Sequence, residues 1–178
     1  MACGLSAGYA LPCKDKVGGI YKVWFANYDD ATTNAGVTLT GNTVSAISAS
    51  LDVYEFVVKG SNNLETTVNS SRENGTTYYE QVLSLTLTDL TQDYGAALQD
   101  LAKSLMVAFV QDNNGQTWCI GYQHGLDLTA GTAVTGTAMG DLYGYTITLT
   151  GQESIAPAYI ASSDFASPFA AFTPVINS

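Results

Sequence analysis

Charge is scarce in this 178-residue chain: Asp, Glu, Lys and Arg make up 12% of it, about half of the roughly 25% usual in soluble domains. Cations are scarcest, with 6 Lys plus Arg against 16 Asp plus Glu and a formal net charge of −10. So few cations remove the electrostatic drive on which most nucleic-acid binding depends. Histidine occurs once, at His124, and cysteine three times, at Cys3, Cys13 and Cys119, with no CxxC pair. An odd count in that spacing argues against a closed disulfide framework and against a tetrahedral zinc site. The three read as free thiols, with a Cys3–Cys13 clip as the alternative.

Long apolar runs are also missing. None nears the roughly 20 residues that span a bilayer, and no membrane partner is expected. The opening MACGLSAGYALPCKDKVGG has neither a basic n-region nor a long apolar h-region, so it reads as an arm, residues 1–19, rather than a cleaved signal. No Gly-Lys-Ser or Gly-Lys-Thr marks a phosphate loop. Asp29-Asp30 lack the alternating acids and terminal Glu of a calcium loop and read as solvated turn acids. Asn69-Ser70-Ser71 and Asn74-Gly75-Thr76 match glycosylation sequons and, with no secretory signal, read as turn residues. Cys119 and His124 could in principle form a thiolate nucleophile, but no oxyanion-hole motif accompanies them. The sequence assigns no catalytic, cofactor-binding or metal-ligating residue and no cofactor, and the chain does not read as an enzyme.

What is present is β-structure. The chain is 46% hydrophobic, and Val, Ile, Tyr, Phe and Thr recur at every second position between Gly and Asn clusters. In 143–151, Tyr143, Tyr145, Ile147 and Leu149 alternate with Gly144, Thr146 and Thr148. In 77–88, Tyr79, Leu83, Leu85 and Leu87 alternate with Glu80, Ser84 and Thr86. Both are half-buried antiparallel strands, apolar on one face and hydroxylated on the other. Further strands are expected at 20–27, 37–39, 54–58, 64–69, 106–111, 117–122 and 126–129. Asp112-Asn113-Asn114-Gly115 and Asn74-Gly75 supply turns for two hairpins.

One helix is expected at about 91–105, where Tyr94, Leu98, Leu101 and Leu105 form one stripe, capped by Asp89 with Gln92 or by Thr91. The stretch TAGTAVTGTAMG, 129–140, reads as a flexible loop of small residues. From 156 onward Tyr159, Phe165, Phe169, Phe172 and Val175 follow no period, so 156–178 reads as an extended arm that folds back on its own domain or lies on another subunit. The expected architecture is mainly β with one helix, a β-sandwich or barrel over 20–155 between N- and C-terminal arms.

These features point to assembly. Alternating strands with a Thr-rich outer face suit a subunit that adds sheet edge to sheet edge and closes into a homo-oligomeric ring. Carboxylates lining such a ring would repel phosphates and let a duplex pass without sticking. Asp112, Asp141 and Glu153, near strand ends, are the candidate lumen acids. A capsid auxiliary protein would suit the same composition, and Trp24, Trp118 and the 11 Tyr leave a host- or glycan-binding β-domain as a further alternative.

Three segments, ENGTTYYEQVLSLTL (73–87), LAKSLMVAFVQDNNGQTWCIG (101–121) and GTAMGDLYGYTITLTGQE (136–153), with the opening MACGLSAGYALPCKDKVGGI, carry a resemblance covering the chain up to about Pro157. It resembles small virion structural proteins, of the neck-ring or tail-tube kind, of tailed bacteriophages in the crAss-like and related Bacteroidetes groups. The resemblance implies a tail-tube-like β-sandwich or barrel flanked by a helix. It also implies six-fold or twelve-fold rings in the conduit through which DNA exits, bordered by portal, ring or tail proteins, in a virion assembled in the host bacterial cytoplasm. It carries no catalytic or ligand position, and the Phe- and Pro-rich tail matches no feature of that family.

Overall fold

Alternation of apolar and polar residues is realised as two packed sheets in the computed structural model, which describes residues 14–33, 36–58, 60–160, 169 and 175–177. In chain order the strands are β1 Ile20–Asn27, β2 Val37–Thr40, β3 Thr43–Ile47, β4 Asp52–Val57, β5 Asn63–Ser71, β6 Thr76–Leu87, β7 Met106–Asp112, β8 Thr117–Ile120, β9 Asp127–Val134, β10 Gly144–Glu153, β11 Ala158–Ile160 and β12 Val175–Asn177. Among the described residues a single α-helix, α1 Gln92–Leu101, joins β6 to β7, and a π-helical turn, Asp29–Thr33, follows β1. The fold is therefore mainly β with one helix, as the periodicity predicts.

The larger sheet has the order β12-β4-β1-β7-β8-β11-β3-β2 and the smaller β5-β6-β10-β9. Strands β1 and β7 are covered on both faces: Val23, Trp24, Phe25 and Ala26 are all buried, as are Met106 to Gln111. One face of the large sheet meets the small sheet, where Val23, Phe25, Ala108, Val110 and Ile120 pack with Leu83, Leu85, Ile147 and Leu149. Its other face closes on itself, since Val44 and Ile47 of β3 share a cluster with Val53 of β4, Trp24 and Phe109. The sheet must curl to bring β3 and β4 together, because four strands separate them. Each fully buried Leu, Ile or Phe in these clusters contributes about 1.5–3 kcal/mol.

Both hairpin signals form their turns. Gly75 and Gly115 adopt φ of 64° and 81°, the left-handed region where a Cβ would be strained. At the second turn the Asp112 carboxylate accepts the Asn114 and Gln116 amides at 2.9 and 2.8 Å. Val17 and Gly18, inside the expected N-terminal arm, are tied to this turn through the Asn113 and Asn114 side chains.

Three expectations are corrected. Helix α1 ends at Leu101, and Leu105 is 46% exposed, so the stripe stops one turn early; Lys103 donates to the Asp100 carbonyl in the closing turn. The side chain of Tyr94 lies outside the described residues. The supposed loop at 129–140 is half strand: β9 runs to Val134 and pairs with β10, because an edge strand needs backbone hydrogen bonds more than large side chains. Domain and arm do not part at 155/156. Ala158–Ile160 is an inner strand of the large sheet, antiparallel to β8 and parallel to β3, and Phe169 is buried beside Trp24 and Phe109. These described parts of the expected C-terminal arm pack on their own domain. Strand β3 escaped the sequence reading because TVSAI is short, with one Gly-Asn turn before it. Cys3, Cys13, Phe165 and Phe172 lie outside the described residues.

Candidate functional site

The small sheet is where the fold leaves groups unengaged. Its neighbours are antiparallel throughout, so its two edge strands, β5 and β9, run in opposite directions. Among the described residues neither has a second strand partner. Edge strands in soluble proteins are commonly blunted by Lys, Pro or short length. Here β5 has 9 residues and β9 has 8, and neither contains Lys, Arg or Pro. The one irregularity is a bulge at the start of β9, opposite Thr148 and Leu149.

The outer face follows from the pleat. With Leu83, Leu85, Ile147 and Leu149 turned inward, alternation turns Glu80, Ser84 and Thr86 of β6, and Thr146, Thr148, Thr150 and Gln152 of β10, the other way. The register sets Glu65 and Thr67 of β5 on the same side, opposite Val82 and Glu80, and Asp127 of β9 opposite Thr150. The result is a hydroxyl-rich surface with three carboxylates. No Lys or Arg occurs anywhere in the four strands.

These carboxylates are not the ones expected at strand ends. Glu153 is 1% exposed; its oxygens accept the Gln123 and His124 amides at 2.8 and 3.0 Å, clamping the turn after β8. Asp112 is engaged in its own turn. Asp141 is exposed but accepts the Thr137 and Ala138 amides and the Thr137 hydroxyl, each at 2.8 Å. Those hydrogen bonds hold its carboxyl below the ordinary carboxylate range. All three acids hold turns by accepting backbone amides, whereas Glu65, Glu80 and Asp127 lie on the outer face of the small sheet; strand parity relative to the Leu rows is the signal that identifies them.

A groove opens where β5 faces the large sheet. It has a volume of about 340 Å³ and is lined by Leu64, Thr66, Trp118, Tyr159, Asn42, Ala156 and Pro157. The Trp118 and Tyr159 rings lie 6.0 Å apart at 56°. The Asn42 side-chain amide, turned so that its nitrogen meets two carbonyls, donates to Ala156 and Pro157 at 3.0 and 3.2 Å, while the Asn42 backbone carbonyl accepts the Tyr159 amide. Trp24 is instead wholly internal, donating its indole N–H to Glu55 at 3.0 Å.

Cys119 and His124 are not arranged for nucleophilic chemistry. Burial, with Glu153 nearby, pushes the Cys119 thiol far up, which keeps it neutral, and the His124 ring stands in solvent with its Nδ1 3.7 Å from Glu153. Among the described residues no group of three or more His, Cys, Asp or Glu gathers as a metal-ligand set, and no helix is long and apolar enough to cross a membrane. Comparisons of the chain with protein-family models, with curated proteins and with solved structures give no match.

Proposed function

We propose that this chain is a ring-forming structural subunit of a tailed-phage virion, part of the neck or tail conduit through which DNA passes without specific binding. The observation that carries this reading is the small sheet: two long edges of opposite direction, each without an outer strand among the described residues, flanking an outer face of hydroxyls and carboxylates without a cation. Because an even number of alternating strands separates the edges, copies in one orientation meet β9 to β5 in antiparallel pairing. That is a head-to-tail contact, which closes into a ring when the rotation permits. The outer face then supplies a polar, anionic lining that repels phosphates. Six or twelve copies, neighbouring ring, portal or tail proteins, and assembly in the host bacterial cytoplasm belong to the same proposal.

The deciding experiment is a cryo-EM map of particles that contain the chain. The expected result is a closed ring on the conduit axis with β9 beside β5. Density on the capsid exterior would replace this reading with that of an auxiliary protein, and absence from particles would remove both. The Trp118–Tyr159 groove favours a second reading, a glycan-binding domain, because a half-buried and an exposed aromatic ring beside amide groups suit sugar stacking. Micromolar binding of a glycan by the wild-type chain, abolished by Tyr159→Ala, would favour it.

A further inference from the structure

The chain contains two Asn-Gly pairs, Asn74-Gly75 and Asn114-Gly115. Each lies in a hairpin turn with its glycine at positive φ, 64° and 81°. In an Asn-Gly pair the side-chain amide is open to attack by the next residue's backbone nitrogen, because glycine has no Cβ to obstruct the approach. Both turns therefore carry the same latent chemistry, but their surroundings are opposite.

At Asn114 every participating group is engaged. Its side-chain nitrogen donates to the Val17 carbonyl at 2.8 Å and to the Asp112 carboxylate at 2.9 Å, and its side-chain oxygen accepts the Val17 amide at 3.0 Å. The Gly115 amide, whose nitrogen would attack, donates to the Asp112 carbonyl at 3.1 Å, and Gly115 is buried. Ring closure there requires these bonds to break together, which happens only when the turn opens. At Asn74 the Ser71 hydroxyl holds the backbone amide at 3.3 Å, and among the described residues no hydrogen bond restrains the Asn74 side chain or the Gly75 amide. Asn74, Gly75 and Thr76 are exposed, and a Cβ built on Gly75 would meet nothing within 4 Å. The Asn74 side chain thus has room to swing over the Gly75 nitrogen.

We propose that Asn74 is a site of spontaneous succinimide formation in the folded protein, and that the turn around Asn114 protects the second pair. The Gly75 nitrogen gives its proton to hydroxide and bonds to Asn74 Cγ; the Cγ–Nδ2 bond breaks, and Nδ2 leaves as ammonia after taking a proton from water. Water then adds across one of the two carbonyl–nitrogen bonds of the ring and leaves aspartate or isoaspartate at position 74. Either product adds one negative charge beside Glu73. Isoaspartate also routes the main chain through Cβ, lengthening the turn by one carbon next to the last pairs of the ladder, Ser71 with Thr76 and Ser70 with Thr77, whose hydroxyls meet at 3.0 Å. The consequence is local, since this end of the hairpin reaches past the core: Val68 is 58% exposed. None of this requires the subunit to assemble.

The test ages the full wild-type chain in warm, mildly alkaline buffer, once folded and once in denaturant. Products are located by peptide mass spectrometry, and isoaspartate is confirmed by enzymatic methyl transfer. In the folded chain Asn74 should convert at least about tenfold faster than Asn114, because several hydrogen bonds must break before the second site can react. In denaturant the two should convert at similar rates, since no turn protects either. Comparable rates at the two sites in the folded chain, or an Asn74 that survives folded ageing intact, would overturn the assignment.

Discussion

Phe169 meets Trp24 edge to face, ring centroids 5.2 Å apart and planes at 76°, and meets Phe109 in the same way at 5.3 Å and 87°. A residue nine positions from the C-terminus thus completes the cluster under the curled half of the large sheet. Such edge-to-face pairs contribute about 0.5–1.5 kcal/mol beyond the area they bury. Phe169→Ala should destabilise the chain by about 3–5 kcal/mol, read from the denaturation midpoint. Removing 158–178 takes away β11 as well and should leave no cooperative unfolding transition. A truncated chain that unfolds cooperatively near the wild-type midpoint would contradict the cis packing of this segment.

Helix α1 gives a paired test. Leu101 is 4% exposed and packs in the cluster between the sheets, whereas Leu105 lies beyond the helix and is 46% exposed. Leu101→Asp buries an unpaired charge and should abolish folding, at a cost of several kcal/mol. Leu105→Asp should shift stability by less than about 1 kcal/mol. Equal effects of the two, measured by chemical denaturation, would mean that the helix continues to 105 as its periodicity suggests.

The contrast between those two leucines also shows what was legible in the sequence. Alternation identifies β6 and β10 because their inner faces carry Leu and Ile at every second place, a continuous apolar run identifies β7, and Asn-Gly and Asn-Asn-Gly mark the turns. The helical stripe continues through Leu105 in period but not in fact, since the chain must turn there to enter β7. Strand β9 is invisible to an apolar pattern: Ala130, Gly131, Thr132 and Ala133 hold their place through the ladder to β10. Likewise β11 is three residues long, and nothing in Ala-Tyr-Ile says that it fills the gap between β8 and β3. The candidate surface was half legible. A Thr-rich outer face follows from alternation, but the acids on it depend on parity within strands, and the groove depends on residues 42, 64, 118 and 159 meeting across two sheets.

Glu153 should matter for the turn it clamps rather than for any lumen. Both of its oxygens accept backbone amides, so in Glu153→Gln a side-chain NH2 would face one of those N–H donors. The loss should be about 1–3 kcal/mol, with amide exchange rising first at Gln123 and His124. Unchanged exchange at these two amides would show that the clamp does not hold the turn.

The tip of the β9–β10 hairpin should respond to pH with a definite sign. The carboxyl of Asp141 is held below its ordinary range by the Ala138 and Thr137 amides and the Thr137 hydroxyl. A folded-state pKa lower than the unfolded one contributes order that is complete above the ordinary carboxylate range and is lost as pH falls through the lowered value. The Thr137 and Ala138 amide resonances should therefore stay fixed at neutral pH and shift only in strong acid. In Asp141→Ala they should already be displaced at neutral pH. Amides indifferent to both acid and substitution would mean that the tip is ordered by something else.

The outer face of the small sheet offers the sharpest test of what passes along it. Glu80 lies opposite Gln152 across β6 and β10, and Thr150 and Thr148 follow on the same face two and four residues along β10; none of them supports the core. Replacing Glu80 and Thr148 by Lys should leave the monomer folded, because both side chains already reach solvent on the polar side of the pleat. In an assembled ring every copy contributes both changes, so the lining turns from repelling phosphates to attracting them. Each phosphate neutralised adds roughly one unit to the slope of log affinity against log salt. Assembled variant rings should then retain duplex DNA at low salt and release it steeply as salt rises, while wild-type rings retain none at any salt. Retention by the wild type, or none by the Lys variant despite intact rings, would place this face away from the lumen and move the proposed lining to another surface of the subunit.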